Sequence, residues 1–270
     1  MIPAYWGEPA WVFLERVAAS YPYFPKSDDK DNYRSFFMLL QNILPCANCS
    51  KHFSENLVVN PLDEYALLTP QNLVLWLVRM HNLVNIQTGK AAMPLEQTVQ
   101  NILQKGLSAN KLDWQEDAWK FLHSVTLEYP TAPTQLDKEK YRLFFNLLQY
   151  TLPVDFYKQA YIEALSVYPL TDEVMASQTN LFNWSSDVHN KVNEILKLPT
   201  VPTKNRLLTI IQEQEQTGQQ IQAIAAEQEI QEAFNNMTND KTMTLAAIII
   251  MIIAIVTALA CIAACNRKYY

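Results

Sequence analysis

Glycine is scarce, with four copies in 270 residues. That scarcity, together with the lack of long Val/Thr alternation, argues against sheets and for helices joined by proline-marked turns. Basic charge is in short supply too. Lys and Arg number 21 against 27 Asp and Glu, for a formal net charge of −6, so no basic face offers itself to a phosphate backbone and nucleic-acid binding is excluded as an expectation. No basic stretch followed by an apolar one precedes the domain, since Trp6 and Gly7 already read as part of it, and a cleaved signal peptide is not expected. Cysteine is confined to two pairs, Cys46 with Cys49 and Cys261 with Cys265.

What the chain does have is apolar mass. Hydrophobic residues make up 49% and aromatics 11%, enough for one large core or two small ones. The run from Met243 to Cys265 carries no charge and is long enough, as a helix, to cross a hydrocarbon core of about 30 Å. A single-pass C-terminal membrane anchor is therefore expected, with the soluble part facing the cytosol. Arg267 and Lys268, just beyond the span, favour the opposite orientation but are few. Cys261 and Cys265 fall on one helix face, a spacing suited to lipid attachment or packing.

An internal repeat organises the rest. AWVFLERVAASYP from Ala10 returns as AWKFLHSVTLEYP from Ala118, and YRSFFMLLQNILP from Tyr33 as YRLFFNLLQYTLP from Tyr141. NLVLWLVRMHNLVN from Asn72 is echoed by NLFNWSSDVHNKVN from Asn180, and the offset is 108 residues throughout. Two homologous modules stand in tandem, each large enough to fold as a small domain. Their periodicity is helical: Tyr33, Phe36, Phe37, Leu40, Ile43 and Leu44 share one face, as do Leu73, Trp76, Leu77, Met80 and Val84. Thr69 before Pro70 reads as an N-cap, and Asp113 with Glu116 as a variant capping box. Four antiparallel helices per module is the expected arrangement, with Pro199 and Pro202 closing the second copy. Residues 201–242, rich in Gln and Glu, read as a stalk or linker.

Cys46 follows Pro45 and precedes a segment that reads as helix. A cysteine at a helix N-terminus meets partial positive charge, which favours its thiolate by up to about 2 kcal/mol. A reactive dithiol is one reading. Zinc needs four ligands, of which this motif supplies two and His52 a third; two inert cysteines are another alternative. Against inertness stands the second copy, where Val154 and Tyr157 occupy the corresponding places, so the fold does not require the sulfurs. A thioredoxin fold would place the pair after a strand in a βαβ pattern, which is missing.

Residues 6–90 carry, in order, Trp6-Gly7, Trp11-x-Phe13-Leu14, Tyr21-Pro22, Pro45-Cys46-x-x-Cys49, Trp76, His81-Asn82-x-Val84-Asn85 and Gly89-Lys90. In this order they resemble the Erv/ALR family of FAD-linked sulfhydryl oxidases, especially the short forms of large DNA viruses. The resemblance implies FAD held among the helices with the Cys46–Cys49 disulfide beside it. Cys49 would be the flavin-side sulfur and Cys46 the one that a substrate thiolate attacks. Trp11, Tyr21, Cys49, His81, Asn82, Val84, Asn85 and Lys90 would contact the cofactor. Electrons would pass from a protein dithiol or thioredoxin-like substrate to oxygen, giving a disulfide and hydrogen peroxide. Viral structural proteins assembled in the reducing cytosol are the natural substrates on this view.

The sequence departs from the family at Glu15, where a histidine is usual; the second copy keeps it as His123. That carboxylate would lie near the flavin or turn outward. The second copy has lost both sulfurs. Because family members are typically homodimers, it is expected to pack against the first as an intrachain pseudo-dimer with one flavin per chain. The full layout reads as an all-α protein: residues 1–92 catalytic, 110–200 degenerate, 201–242 stalk, 243–265 membrane helix and 266–270 a short basic tail. A non-catalytic membrane scaffold and a zinc-stabilised interaction module are the rival readings.

Overall fold

A computed structural model describes residues 1–107 and 112–238. The expected membrane helix and basic tail lie outside the described residues, among which no helix is long and apolar enough to cross a membrane. The described chain is helical, with no strand among its residues. The first module comprises α1 (Pro3–Ala19), α2 (Ser27–Ile43), α3 (Ala47–Val59), α4 (Pro70–Gln87) and α5 (Leu95–Leu107). The second comprises α6 (Gln115–Leu127), α7 (Gln135–Thr151), α8 (Asp155–Val167), a 3-10 turn at Val174–Ala176, α9 (Gln178–Ile195) and the first turns of α10 (Thr203–Thr238).

Each module thus has five helices where the repeat suggested four. The fifth buries an isoleucine at the same place in each copy, Ile102 on α5 and Ile210 on α10. It also comes close to α1: a Cβ on Gly106 would lie 2.6 Å from the Cβ of Ala19, so only glycine lets α5 approach there. Residues 199–202 consequently do not close the second copy, and one compact unit extends from Met1 to Ile210. The rest of α10, from Ile211, belongs to a second unit and reads as a polar helix.

Local chemistry sets the helix ends. Thr69 caps α4 by accepting from Asn72 N at 3.2 Å, and Ser177 does the same for α9 through Asn180 N. Thr134 and Asp137 form a reciprocal box on α7, which satisfies backbone donors that have no helical partner. Asp113 does not cap α6; Trp114 holds that position, and the Asp113 carboxylate instead meets Arg16 at 2.6 Å. After α4, Lys90 N bonds to Asn85 O and Gly89 N to Ile86 O around a glycine at φ +73°, the usual left-handed helix stop. The second module makes the same stop with Lys197 at φ +57°.

The two modules meet through equivalent helices, α1 on α6 and α2 on α7. Equivalent rings touch one another: Phe36 stacks on Phe144 at 5.4 Å, and Phe13 lies 6.2 Å from Phe121. Pairs also exchange reciprocally, Trp6 with Phe121 at 6.0 Å and Trp114 with Phe13 at 6.2 Å. Self-matching pairs of this kind are what a two-fold interface produces. All four phenylalanines are fully buried, each contributing roughly 1.5–3 kcal/mol by removal from water.

Candidate active site

Cys46 is the N-cap of α3, and its sulfur accepts from Cys49 N at 3.2 Å. The helix therefore begins at the first cysteine and carries the second one turn further in. The two are joined as a disulfide with Cα atoms 5.1 Å apart. That bond takes up both sulfurs, and among the described residues no three His, Cys, Asp or Glu side chains gather around a metal position.

Cys49, but not Cys46, lines a cavity of about 420 Å³ between α1, α3 and α4, within the range of about 300–1,000 Å³ common for small-molecule sites. Its wall is largely apolar, with Trp6, Ala10, Leu14, Leu40, Leu44 and Phe53, while Glu8, His52 and Lys90 supply charge or polarity. Trp11 and His81 line it as a stacked pair, ring centroids 4.0 Å apart and planes 7° from parallel. Val84 and Asn85 follow His81 one turn on.

Of the residues named from the sequence, Trp11, Cys49, His81, Val84, Asn85 and Lys90 come together on this cavity, and Cys46 sits beside it. Tyr21 and Asn82 do not line it. Tyr21 is buried, and its hydroxyl donates to Leu67 O at 2.9 Å; burial, reinforced by Asp29, pushes its pKa up to about 12, so the phenol stays a donor. Asn82 clamps the loop before α5, donating to Met93 O at 2.9 Å and accepting from Met93 N at 2.7 Å. The second module repeats both arrangements, Tyr129 to Met175 O and Asn190 around Val201, although it has no sulfurs. These two side chains support the frame.

His52, Phe53, Leu14, Ala10 and Trp6 are cavity residues that sequence reasoning did not assign to the site. Their signal was present as helical spacing: each lies a turn or so from an assigned residue on the same helix, as His52 and Phe53 do from Cys49.

Glu15 turns away from this cavity. It lines a smaller pocket of about 170 Å³ with Val12, Arg16, Ile102, Lys105, Asp113 and Trp114, while its Oε1 reaches to 3.6 Å from His81 Nδ1. That nitrogen is buried and has no hydrogen-bond partner.

The equivalent space in the second module is filled. Tyr157, in the place of Cys49, is buried; it accepts a 2.7 Å hydrogen bond from Trp119 Nε1 and lies 4.9 Å from the Trp114 ring. Trp119 and Val192, counterparts of the half-buried Trp11 and Val84, are buried as well. His189 stacks on Trp119 at 4.2 Å, and its Nδ1 meets Arg206 at 2.8 Å and His123 Nε2 at 3.1 Å. Burial, then the neighbouring His123 and Arg206, holds His189 far below its ordinary pKa, and burial with Arg206 does the same to His123.

Comparison with known proteins fits this geometry. The chain is similar to the probable FAD-linked sulfhydryl oxidase R368 of Acanthamoeba polyphaga mimivirus, 46% identical over 80 residues, 30% of this chain and 56% of the relative. It is 33% identical over 90 residues to the FAD-linked sulfhydryl oxidase ERV1 of Arabidopsis thaliana, covering 33% and 46% of the two. To ERV2 of Saccharomyces cerevisiae, also an FAD-linked sulfhydryl oxidase, it is 30% identical over 80 residues, covering 30% and 39%. The chain spans about half the length of the curated relatives it matches. A sequence model of the Erv1/Alr family matches residues 8–104 and again residues 116–216, so both modules, the one with the sulfurs and the one without, belong to the Erv1/Alr family.

Proposed function

We propose that this chain is an FAD-dependent thiol oxidase that makes disulfides in protein substrates and passes the electrons to oxygen. The observation that carries the reading is the placement of the disulfide: one sulfur on an apolar cavity walled by a stacked Trp–His pair, the other at a helix start outside it. The residues present fit the cofactor. An apolar slot suits a flat ring system, Trp11, His81, Val84 and Asn85 stand along it, and Lys90 suits the anionic phosphates. When bound, the flavin supplies two-electron transfer between the disulfide and oxygen.

The protein's part is sulfur chemistry and orientation. Cys46 Sγ lies where a substrate thiolate can attack it, and the helix N-terminus stabilises negative charge on that sulfur as it leaves or re-forms. Attack at Cys46 breaks the Cys46–Cys49 bond and releases Cys49 as the thiolate facing the cavity. The second substrate thiolate then attacks the mixed disulfide, forming the substrate disulfide and freeing Cys46. A protein dithiol or thioredoxin-like carrier is the matching donor.

The second module serves, on this reading, as an intrachain stand-in for a second subunit. The reciprocal aromatic pairs support that pseudo-dimer, and Tyr157 in the cysteine's place supports one flavin per chain. Anchoring through residues 243–265, with the modules facing the cytosol, completes the proposal on sequence grounds; its setting would be the assembly of viral structural proteins.

Purified full-length chain tests this directly. It is expected to be yellow, with one FAD per chain, and to consume oxygen with dithiothreitol, while Cys46→Ser and Cys49→Ser do not. A colourless protein that takes up no added flavin would leave the scaffold reading standing, and two flavins per chain would overturn the one-flavin reading.

A further inference from the structure

The same histidine faces opposite chemistry in the two modules. His189 Nδ1 meets Arg206, whose guanidinium can only donate. That nitrogen must be bare, and the His189 proton sits on Nε2. His81 Nδ1 points instead at the carboxylate of Glu15, 3.6 Å away, which can only accept. A proton on Nδ1 would face that carboxylate and leave Nε2 as the bare ring nitrogen. Trp11 holds the ring flat by stacking, which keeps Nδ1 turned to that carboxylate.

We propose that Glu15 is a positioning residue that locks His81 in the Nδ1–H form, so that Nε2 takes up and returns one proton at the cavity wall in each catalytic cycle. The inference rests on the thiol-oxidase reading. Oxidation of a substrate dithiol releases two electrons and two protons, and reduction of one oxygen to hydrogen peroxide consumes two of each. His81 Nε2 stores one of those protons between the two half-reactions, and the other exchanges with solvent. The Glu15 carboxylate lies on the Nδ1 side of the ring, away from the nitrogen that handles the proton. At 3.6 Å the contact is electrostatic rather than a hydrogen bond, and a carboxylate at that distance favours a proton on the nearer ring nitrogen.

The surroundings suit this. Glu15 belongs to a different pocket from the cavity that His81 lines, so it supports the ring from behind without occupying flavin space. Around it stand Arg16, Lys105 and Asp113, the first two cationic and the third paired with Arg16 at 2.6 Å. On the cavity side, Glu8, His52 and Lys90 are the charged or titratable neighbours of His81.

Nitrogen-15 spectra of histidine-labelled full-length chain test the lock without relying on turnover. The chain has four histidines, and His189 supplies an internal reference of the opposite tautomer. His81 is expected as Nδ1–H beside His189 as Nε2–H, and Glu15→Ala should erase the Nδ1–H preference. Rapid mixing of the dithiol-reduced, flavin-loaded variant with oxygen should then show reoxidation slowed by about 10²-fold, the low end of general acid–base effects. Added formate, which can enter the vacated side of the pocket, should restore much of the rate, and Glu15→Asp should retain it. A wild-type His81 carrying its proton on Nε2 would overturn the proposal, as would unchanged reoxidation in Glu15→Ala at equal flavin content. Should Glu15→Ala misfold, Glu15→Gln and the wild-type tautomer decide the matter. If the wild-type chain binds no flavin, the oxidase reading fails while the tautomer experiment still reports on the Glu15–His81 pair.

Discussion

The first and second modules share several supporting bonds and differ most clearly around one cavity. Tyr21 and Tyr129 each donate to a carbonyl 46 residues on, at 2.9 Å. Trp76 Nε1 reaches Asn60 O as Trp184 Nε1 reaches Tyr168 O, and Arg34 pairs with Glu64 as Arg142 does with Asp172. Where the first module has Cys49, a half-buried Trp11 and Glu15 behind His81, the second has Tyr157, a buried Trp119 and His123 with Arg206. One chain thus provides its own control: side chains that bond to backbone in both copies support the fold, and the differences around the retained Trp–His stack point to the site. Tyr21 and Asn82 bond to backbone in both copies, whereas Glu15 has His123 in its place in the second.

Changes at the two equivalent positions, 49 and 157, should break this comparison most sharply. Cys49→Ser or Cys46→Ser is expected to abolish dithiol-driven oxygen consumption while leaving thermal unfolding almost unmoved; retained activity in both would sever the sulfurs from the function. Tyr157→Ala should do the reverse, costing about 3–5 kcal/mol in denaturant titration because it empties a packed interior. Tyr157→Phe leaves Trp119 Nε1 without its acceptor and should cost about 1–3 kcal/mol.

Next in size is a pH effect lodged in the second module. His123 and His189 are held below their ordinary value of 6.5 by burial and by Arg206. The unfolded chain therefore binds protons below that pH that the folded chain refuses, and stability present above it is lost as pH falls. The slope should approach about 1.4 kcal/mol per pH unit for each histidine. Urea midpoints across this window measure it, and a His123→Gln/His189→Gln variant should flatten it. The smallest effect is expected at Lys197, in the left-handed position that Gly89 fills in the first module. Lys197→Gly should gain about 1 kcal/mol by relieving that strain, read as a higher melting temperature.

Much of this was legible in the residues. The constant offset between copies, the helical spacing around Phe36 and Phe37 and the cap at Thr69 follow from local chemistry, which sequence carries directly. The fifth helix was not legible, because its counterpart, 203–210, runs straight on into the Gln-rich remainder of α10, where the repeat fades. Asp113 misled because its spacing to Glu116 imitates a cap, while a long-range partner, Arg16, takes the carboxylate. The site was half legible: sulfurs and ring residues carry their chemistry in their identity, but whether a tyrosine or asparagine faces a cavity or a backbone carbonyl depends on packing across helices. The filling by Tyr157 needed the structure for the same reason.

The reciprocal ring contacts between the modules have a consequence for how the protein behaves when few copies are present. Two subunits held by such a surface separate on dilution, because their association depends on concentration. With both halves on one polypeptide the local concentration is set by the tether, of millimolar order for short connections. A single molecule, however sparse, keeps its aromatic seam closed.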